Sequence, residues 1–332
     1  MILDGRHFLH IQQAAQRLAD GDLVAFPTET VYGLGARADD DAAVARIFEA
    51  KGRPSDHPLI VHVPDTASAR HFAADWPLLA QQLADAFWPG PLTLILPRRR
   101  DLAEAAAGGQ ASVGLRCPAH PVAVALLNAA QNLGVRGVAA PSANRFGRVS
   151  PTTARHVSDE FDEALWVLDG GPCPIGIEST IVDCTRAQPT VLRPGMLTSG
   201  EIESVVGQPL GEPDRYSPKA SGTLEAHYAP SAKLRLMTHK QLEAALQILG
   251  PSPVKLGVYA RSALHKLPSG IQLRQMPNDA AAAAHELFAV LREFDERGQQ
   301  IIWVEEPPSQ PPWDGVRDRL IRASAASEAA TQ

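Results

Sequence analysis

The sequence predicts an α/β protein of two domains, a larger sheet flanked by helices and a smaller Rossmann-like parallel sheet. Three observations carry that expectation. The chain has 332 residues of which 45% are apolar, enough for about two packed cores. Short apolar runs bounded by Pro, Gly and polar turns alternate with stretches whose apolar residues recur at helical spacing. Between 207 and 230 the composition shifts to Pro, Gly, Ser and isolated charges without a period, which reads as a linker.

The stretch 21–63, GDLVAFPTETVYGLGARADDDAAVARIFEAKGRPSDHPLIVHV, organises the first domain. A helix over 10–19, with Ile11, Ala14, Ala15 and Leu18 on one face, leads into a buried strand over 23–26 closed by Pro27. Thr28, Glu29 and Thr30 follow at the carboxyl end of that strand, where open α/β sheets bind ligands. After a turn, Asp39 to Asp41 can cap a helix whose Val44, Ile47 and Phe48 share a face. Lys51 and Arg53 project from its end, where two cations could equally well complement the helix dipole and be solvated. The next strand, 58–63, holds His62 inside its apolar alternation, a place where a histidine is more often a satisfied core residue than a ligand.

Further along, one or two helices are expected over 65–86, then a Trp88-Pro89-Gly90-Pro91 turn, strands over 92–96 and 112–116, and a helix over 122–133. The strand at 137–140 ends in Pro141-Ser142-Ala143-Asn144, a second strand end with small hydrogen-bonding side chains. Short strands over 164–169 and 178–184, the segment VLRPG at 191–195 and a helix over 198–206 complete the domain 1–206. After the linker 207–230, the domain 231–324 alternates strands (234–237, 254–259, 301–304) with helices (239–249, 278–296, 313–321), and 325–332 reads as a disordered tail.

Composition narrows the function. A net charge of −6 argues against a generally basic nucleic-acid surface. Three widely spaced cysteines, Cys117, Cys173 and Cys184, suit neither a disulfide framework nor a zinc site. The first residues hold no apolar core of signal-peptide length and no long apolar run follows, so a cytoplasmic protein without a membrane span is expected. Gly33-Leu34-Gly35-Ala36-Arg37-Ala38 fits the dinucleotide fingerprint only formally, because it starts too far beyond the strand end. The chain has no P-loop, no H-E-x-x-H and no C-x-x-C. What remains is a set of cations, Lys51, Arg53, Arg116 and Arg193, with the hydroxyls of Thr30, Ser112, Ser142, Ser150 and Ser179, which taken alone reads as scattered surface charges on loops or, if the groups converge, as a site suited to an anionic substrate.

PTETVYGLG, KGRP, PLIVHV, VGLRCPAHP, APSAN, GIESTIVD, LRPG and HYAP occur in this order over 21–230. In them the chain resembles the threonylcarbamoyl-AMP synthase family of the YrdC-like superfamily, in its long two-domain form. The resemblance implies a YrdC-like twisted mixed α/β sheet in the first domain and synthesis of threonylcarbamoyl-AMP from ATP, L-threonine and bicarbonate with Mg2+, the product passing to a complex that modifies tRNA. It implies that Thr30, His62, Arg116, Ser179 and the backbone at Ala140 hold threonine. Arg53, His57, Ser112, Ser142, Ser150, Arg193 and, from the linker, Tyr228 would hold the nucleotide, with Asn144 and Lys51 beside the phosphates and Lys51 and Arg53 as the catalytic cations. His57 stands where the family commonly has Asn, and the linker reads SPKASGTLEAHYAP rather than a Pro-Gly form. The alternatives are a related carbamoyltransferase, which usually carries cysteine-rich zinc modules, and a non-catalytic RNA-binding or ribosome-associated protein, for which a weak RNA contact would suffice.

Overall fold

The computed structural model describes residues 1–249, 254–264 and 267–329. Its chain contacts divide into two units, one comprising 1–146 with 150–223, the other 147–149 with Leu224 onward. The segment read as a linker is thereby shared, 207–223 belonging to the first unit and 224–230 to the second.

In the first unit β1 (Ile2–Asp4), β2 (Val24–Pro27), β3 (Tyr32–Arg37), β4 (Ile60–His62), β5 (Leu92–Pro97), β6 (Ser112–Arg116), β7 (Val138–Ala139), β8 (Trp166–Asp169), β9 (Thr180–Asp183) and β10 (Thr190–Arg193) make one sheet. Its order is β1-β8-β2-β3-β7-β4-β6-β5-β9-β10, with parallel and antiparallel pairs mixed. The helices are α1 (Phe8–Ala19), α2 (Asp41–Lys51), α3 (Thr66–Phe72), α4 (Leu78–Phe87), α5 (Pro121–Asn132), α6 (Ala154–Ser158) and α7 (Ser199–Val206).

Alternation along each strand divides the core into layers. On β2, Val24 and Phe26 belong to the core layer that includes Leu18, Leu126 and Leu127 of α1 and α5, while Ala25 belongs to the layer that extends through Ile47 of α2 to Leu83 and Ile202 of α4 and α7. The strands β4, β5 and β9 contribute a third apolar group, Ile60, Ile95 and Ile181, onto which Leu192 and Ala220 pack. Helix α2 starts where the sequence indicates: the Asp40 side chain accepts from the N–H of Ala42 and Ala43, and Gly52 ends it in the left-handed region at φ 62°. Arg53 is therefore the first residue free to turn back toward the sheet.

Strand β3 is one element the sequence conceals, since its residues read as a turn leading to the helix. Gly33 and Gly35 deprive it of the branched and aromatic signal of a strand. The glycines are demanded by packing: a Cβ on Gly35 would lie 2.8 Å from both Phe26 and Val138.

In the second unit β11 (Lys233–Met237), β12 (Leu256–Ala260), β13 (Gln272–Gln275) and β14 (Ile301–Glu305) form a wholly parallel sheet in the order β11-β14-β12-β13. Helices α8 (His239–Ile248), α9 (Ala280–Glu296) and α10 (Asp314–Ala329) accompany it, and Leu242, Leu246, Leu256, Val258 and Ala260 form part of its core. Strand β13 is not among the expected strands; its half-buried residues are the polar Gln272 and Arg274, which give no apolar run. Helix α10 continues through 325–329, the start of the segment whose composition reads as disordered, while 330–332 lie outside the described residues.

The close approach at Gly35 yields a test: Gly35→Ala should lower unfolding stability by about 1–3 kcal/mol through overpacking against Phe26 and Val138. Chemical denaturation of both proteins measures it, and equal stability would mean the strand can move apart at no cost.

Candidate active site

The register of the sheet places several chemistry-bearing residues on one face. Ile60 of β4 is paired with Gly114 of β6, His62 with Arg116, and Ile95 of β5 with Gly114. Ser112, Gly114, Arg116, Ile60, His62, Thr93 and Ile95 therefore share a face, and Ser179, two residues before Ile181, follows the same alternation through the Thr93–Ile181 pairing. Gly114 keeps the middle of this face open, since its missing Cβ would touch Thr93 and Ile60.

At one end lies a buried ion pair. The Arg116 guanidinium donates from Nη2 to Glu29 Oε1 at 2.5 Å, from Nη1 to Thr30 Oγ1 at 2.8 Å and from Nε to the Gly90 carbonyl at 3.2 Å. The second oxygen of Glu29 accepts from the N–H of Ala119 at 3.0 Å. Burial alone would raise the Glu29 carboxyl, but the charge and hydrogen bond of Arg116 hold it below the usual carboxylate range. His62 is 3% exposed and has no partner for Nδ1 among the described residues. Burial, reinforced by the Arg116 charge, pushes its pKa down to about 3, so the ring is neutral. The backbone N–H of Ala140 closes this end by donating to the Ile60 carbonyl at 2.9 Å.

At the other end two arginines converge. Arg193, from the edge strand β10, donates to the Ser179 carbonyl from Nε and Nη2 and to its Oγ at 3.1 Å. The Ser179 hydroxyl in turn meets that of Thr93 at 2.8 Å. Gly195, two residues on, lies so close to Thr180 that a Cβ would come within 2.5 Å of its nitrogen, so the RPG turn can hold Arg193 here only with glycine. From the far side Arg53 donates to the Pro58 carbonyl at 2.9 Å and stands 5.9 Å from the ring centre of Phe146, which also meets His57 at 5.4 Å. Both arginines reach the same residue: Arg193 Nη1 donates to the Ser221 carbonyl at 2.8 Å, and Arg53 Nη2 lies 3.5 Å from Ser221 Oγ. Lys219 anchors this stretch to Asp56 at 2.9 Å and Ala220 packs on the isoleucines.

Lys51 binds the loop that carries Ser142 and Asn144, donating to the Ser142 carbonyl at 2.6 Å and to the Asn144 carbonyl. Burial, with Arg53 nearby, drives its pKa well down. Ser150 is fully buried and donates to Glu178, the residue before Ser179. The nearness of His57 to Arg53, after burial, likewise lowers its pKa.

Thus Thr30, His62, Arg116, Ser112, Ser179, Arg193 and Arg53 are gathered along one face, and Lys51, Ser142 and Asn144 form a linked group at the end of α2. Tyr228 lies in the second unit, stacked at 5.6 Å on Phe288 with Arg319 at 5.3 Å, so its assignment to the nucleotide rests on resemblance alone. Four participants were not singled out from sequence. Glu29 was visible as a carboxylate at a strand end, but its partner is 87 residues away. Thr93 is hidden in the apolar run LTLIL, Glu178 carries no local mark, and Ser221 lies in a stretch with no period at all.

Known proteins are similar to the chain over nearly its whole length. A family model described as telomere recombination matches residues 16–195, and one described as threonylcarbamoyl-AMP synthase, C-terminal domain, matches 197–325. A threonylcarbamoyl-AMP synthase of Pyrococcus abyssi is 39% identical over 326 residues, covering 95% of this chain and 94% of that one. One of Bacillus subtilis is 38% identical over 325 residues, covering 95% and 92%. Among solved structures, that of P. abyssi Sua5 complexed with L-threonine aligns over 98% of both chains with a TM-score of 0.89 and 37% identity.

The neutral His62 makes stability depend on pH. An unfolded chain takes up a proton on this ring below about 6.5, whereas the folded chain refuses it until about 3, so this contribution is complete above pH 6.5 and is lost as the pH falls toward 3. His62→Gln should flatten that limb, changing at least about 2 kcal/mol less than the parent between about pH 7 and pH 4 at ~1.4 kcal/mol per pKa unit. Denaturant titrations at several pH values read the slope, and parallel curves would show that His62 titrates normally.

Proposed function

The chain belongs to the threonylcarbamoyl-AMP synthase family, and from that premise we propose that it is a nucleotidyltransferase that makes L-threonylcarbamoyladenylate and pyrophosphate from L-threonine, bicarbonate and ATP. The observation that best supports the reading is the convergence of Arg53 and Arg193 on Ser221, joined through Ser179 and Thr93 to the face that holds Arg116. An anionic amino acid derivative and a triphosphate are both served by such a strip of cations and hydroxyls.

In this reading the amino group of threonine adds to bicarbonate with loss of water. A carbamate oxygen then forms a bond to the α-phosphorus as the bond to the β-phosphate bridging oxygen breaks, and pyrophosphate leaves with that electron pair. Two anions must approach, so the requirement is fixed positive charge and alignment rather than a covalent nucleophile. Arg116 and Thr30, with His62, Ser179 and Ala140, are proposed to hold threonine. Arg53, Arg193, His57, Ser112, Ser142, Ser150 and Asn144 are proposed for the nucleotide, with Lys51 and Arg53 beside the reacting phosphate. Ser221 occupies both arginines and would have to give way to phosphate oxygens. The stretch 219–223 then acts as a cover that admits ATP and shields the carbamate from water.

Magnesium is proposed as the companion of ATP. Among the described residues no three His, Cys, Asp or Glu side chains gather as a metal site, so the ion would be carried on phosphate oxygens, where it neutralises charge. Delivery of the product to a tRNA-modifying complex is part of the proposal. No helix among the described residues is long and apolar enough to cross a membrane.

Pyrophosphate release that requires threonine and bicarbonate together tests the activity, and release without either would sink it. Arg53→Ala should lower that rate at least about tenfold with an unchanged thermal melt, the loss expected of one charge-assisted contact. A variant of undiminished rate and unchanged ATP affinity would remove Arg53 from the site.

A further inference from the structure

The feature of this site that the reading above does not use is Glu29. It is 6% exposed, it spans from the guanidinium of Arg116 to the backbone of Ala119, and it stands beside Thr30 at the strand end. An arginine assigned to a substrate carboxylate does not ordinarily face a protein carboxylate in the same pocket, because the two anions compete for its donors and repel one another. Here they need not compete: three of the five guanidinium N–H groups serve Glu29, Thr30 and Gly90, and the fork has two more.

Charge is the deciding quantity. Among the groups about this pair, burial holds His62 and His120 unprotonated and keeps the Cys117 and Cys173 thiols from ionising, while the carboxylate that acts on Cys117 beside Glu29 is that of the exposed Asp65. Arg116 and Glu29 therefore cancel. A ligand carrying a carboxylate alone would leave this water-poor end negative by one charge, whereas one with both a carboxylate and an ammonium group leaves it neutral. Without Glu29 the preference reverses, because Arg116 alone is matched by a simple carboxylate and a zwitterion leaves an ammonium uncompensated.

We infer that Glu29 is a positioning and specificity-determining residue of the amino-acid half-site: by holding Arg116 and balancing its charge, it makes this pocket select a zwitterionic 2-amino acid over the corresponding 2-hydroxy acid. The inference rests on the synthase reading. It adds a reason for the Thr-Glu-Thr turn: the two threonines supply neutral hydrogen bonds and the glutamate supplies charge balance.

The test compares L-threonine with 2,3-dihydroxybutyrate of the same configuration, in which a hydroxyl replaces the amino group, as substrate and competitive inhibitor of the full-length chain. Glu29→Gln should raise the KM for threonine at least about tenfold, as expected for loss of a charge-assisted interaction, while the inhibition constant of the hydroxy acid falls and the KM for ATP changes less than about threefold. Glu29→Asp, which keeps the charge on a shorter stem, should retain the preference for threonine even if both ligands bind more weakly. It carries the test if the glutamine variant does not fold. Parallel weakening of threonine and hydroxy acid in Glu29→Gln, or loss of the preference in Glu29→Asp, overturns the inference and leaves Glu29 a structural partner of Arg116. A parent enzyme without threonine-dependent pyrophosphate release sinks the synthase reading instead, and calorimetric binding of the same two ligands then still reports the ratio.

Discussion

Buried positive charge is the constraint on which the first unit depends. Lys51, Arg53, Arg116 and Arg193 are each less than about one-tenth exposed, and an uncompensated cation in such surroundings costs several kcal/mol. Each is met by a different device. Arg116 has a carboxylate, Lys51 has two loop carbonyls, Arg193 has the carbonyls of Ser179 and Ser221, and Arg53 has Pro58 and Ser221. The first device is itself charged. Along the rest of the face, backbone carbonyls and hydroxyls turn their oxygen dipoles toward the cations.

This division gives the face a polarity. The end at Glu29 and Arg116 holds a matched ion pair, whereas the end at Arg53 and Arg193 brings two guanidinium groups to one residue. A zwitterion suits the first and a polyphosphate the second, and Thr93, Ser179 and the open floor at Gly114 lie between them. The dipoles that hold the arginines belong partly to Ser221, in a stretch that is also held by the ion pair of Lys219 with Asp56, by two hydrogen bonds between Lys219 and Gln110 and by the packing of Ala220.

How much of this was legible beforehand follows from the range over which each interaction acts. The cap of α2 at Asp40, its end at Gly52 and the placement of Arg53 just beyond depend on neighbours within a turn or two, and they stand in the structure as the residues suggest. The strands bearing His62 and Arg116 were evident as apolar runs. Strand β3 was not, because the glycines that suit it to Phe26 and Val138 are the residues that erase a strand's signature. The second sheet was recognised as parallel from its alternation of strand and helix, although β13 is too polar to show.

By itself, then, the sequence determined the class of the fold, the ends of well-capped elements such as α2 and the chemical types brought to the site, because propensity, capping and apolar period are local properties that a window of residues contains. Only the tertiary structure decided which charges meet. The pairing of Glu29 with Arg116, the bridge from Arg193 through Ser179 to Thr93, and the meeting of Arg53 and Arg193 at Ser221 join positions far apart in the chain. Their geometry comes from strand order and register, and the balance between burial and compensation that sets each charge exists only once those strands are side by side.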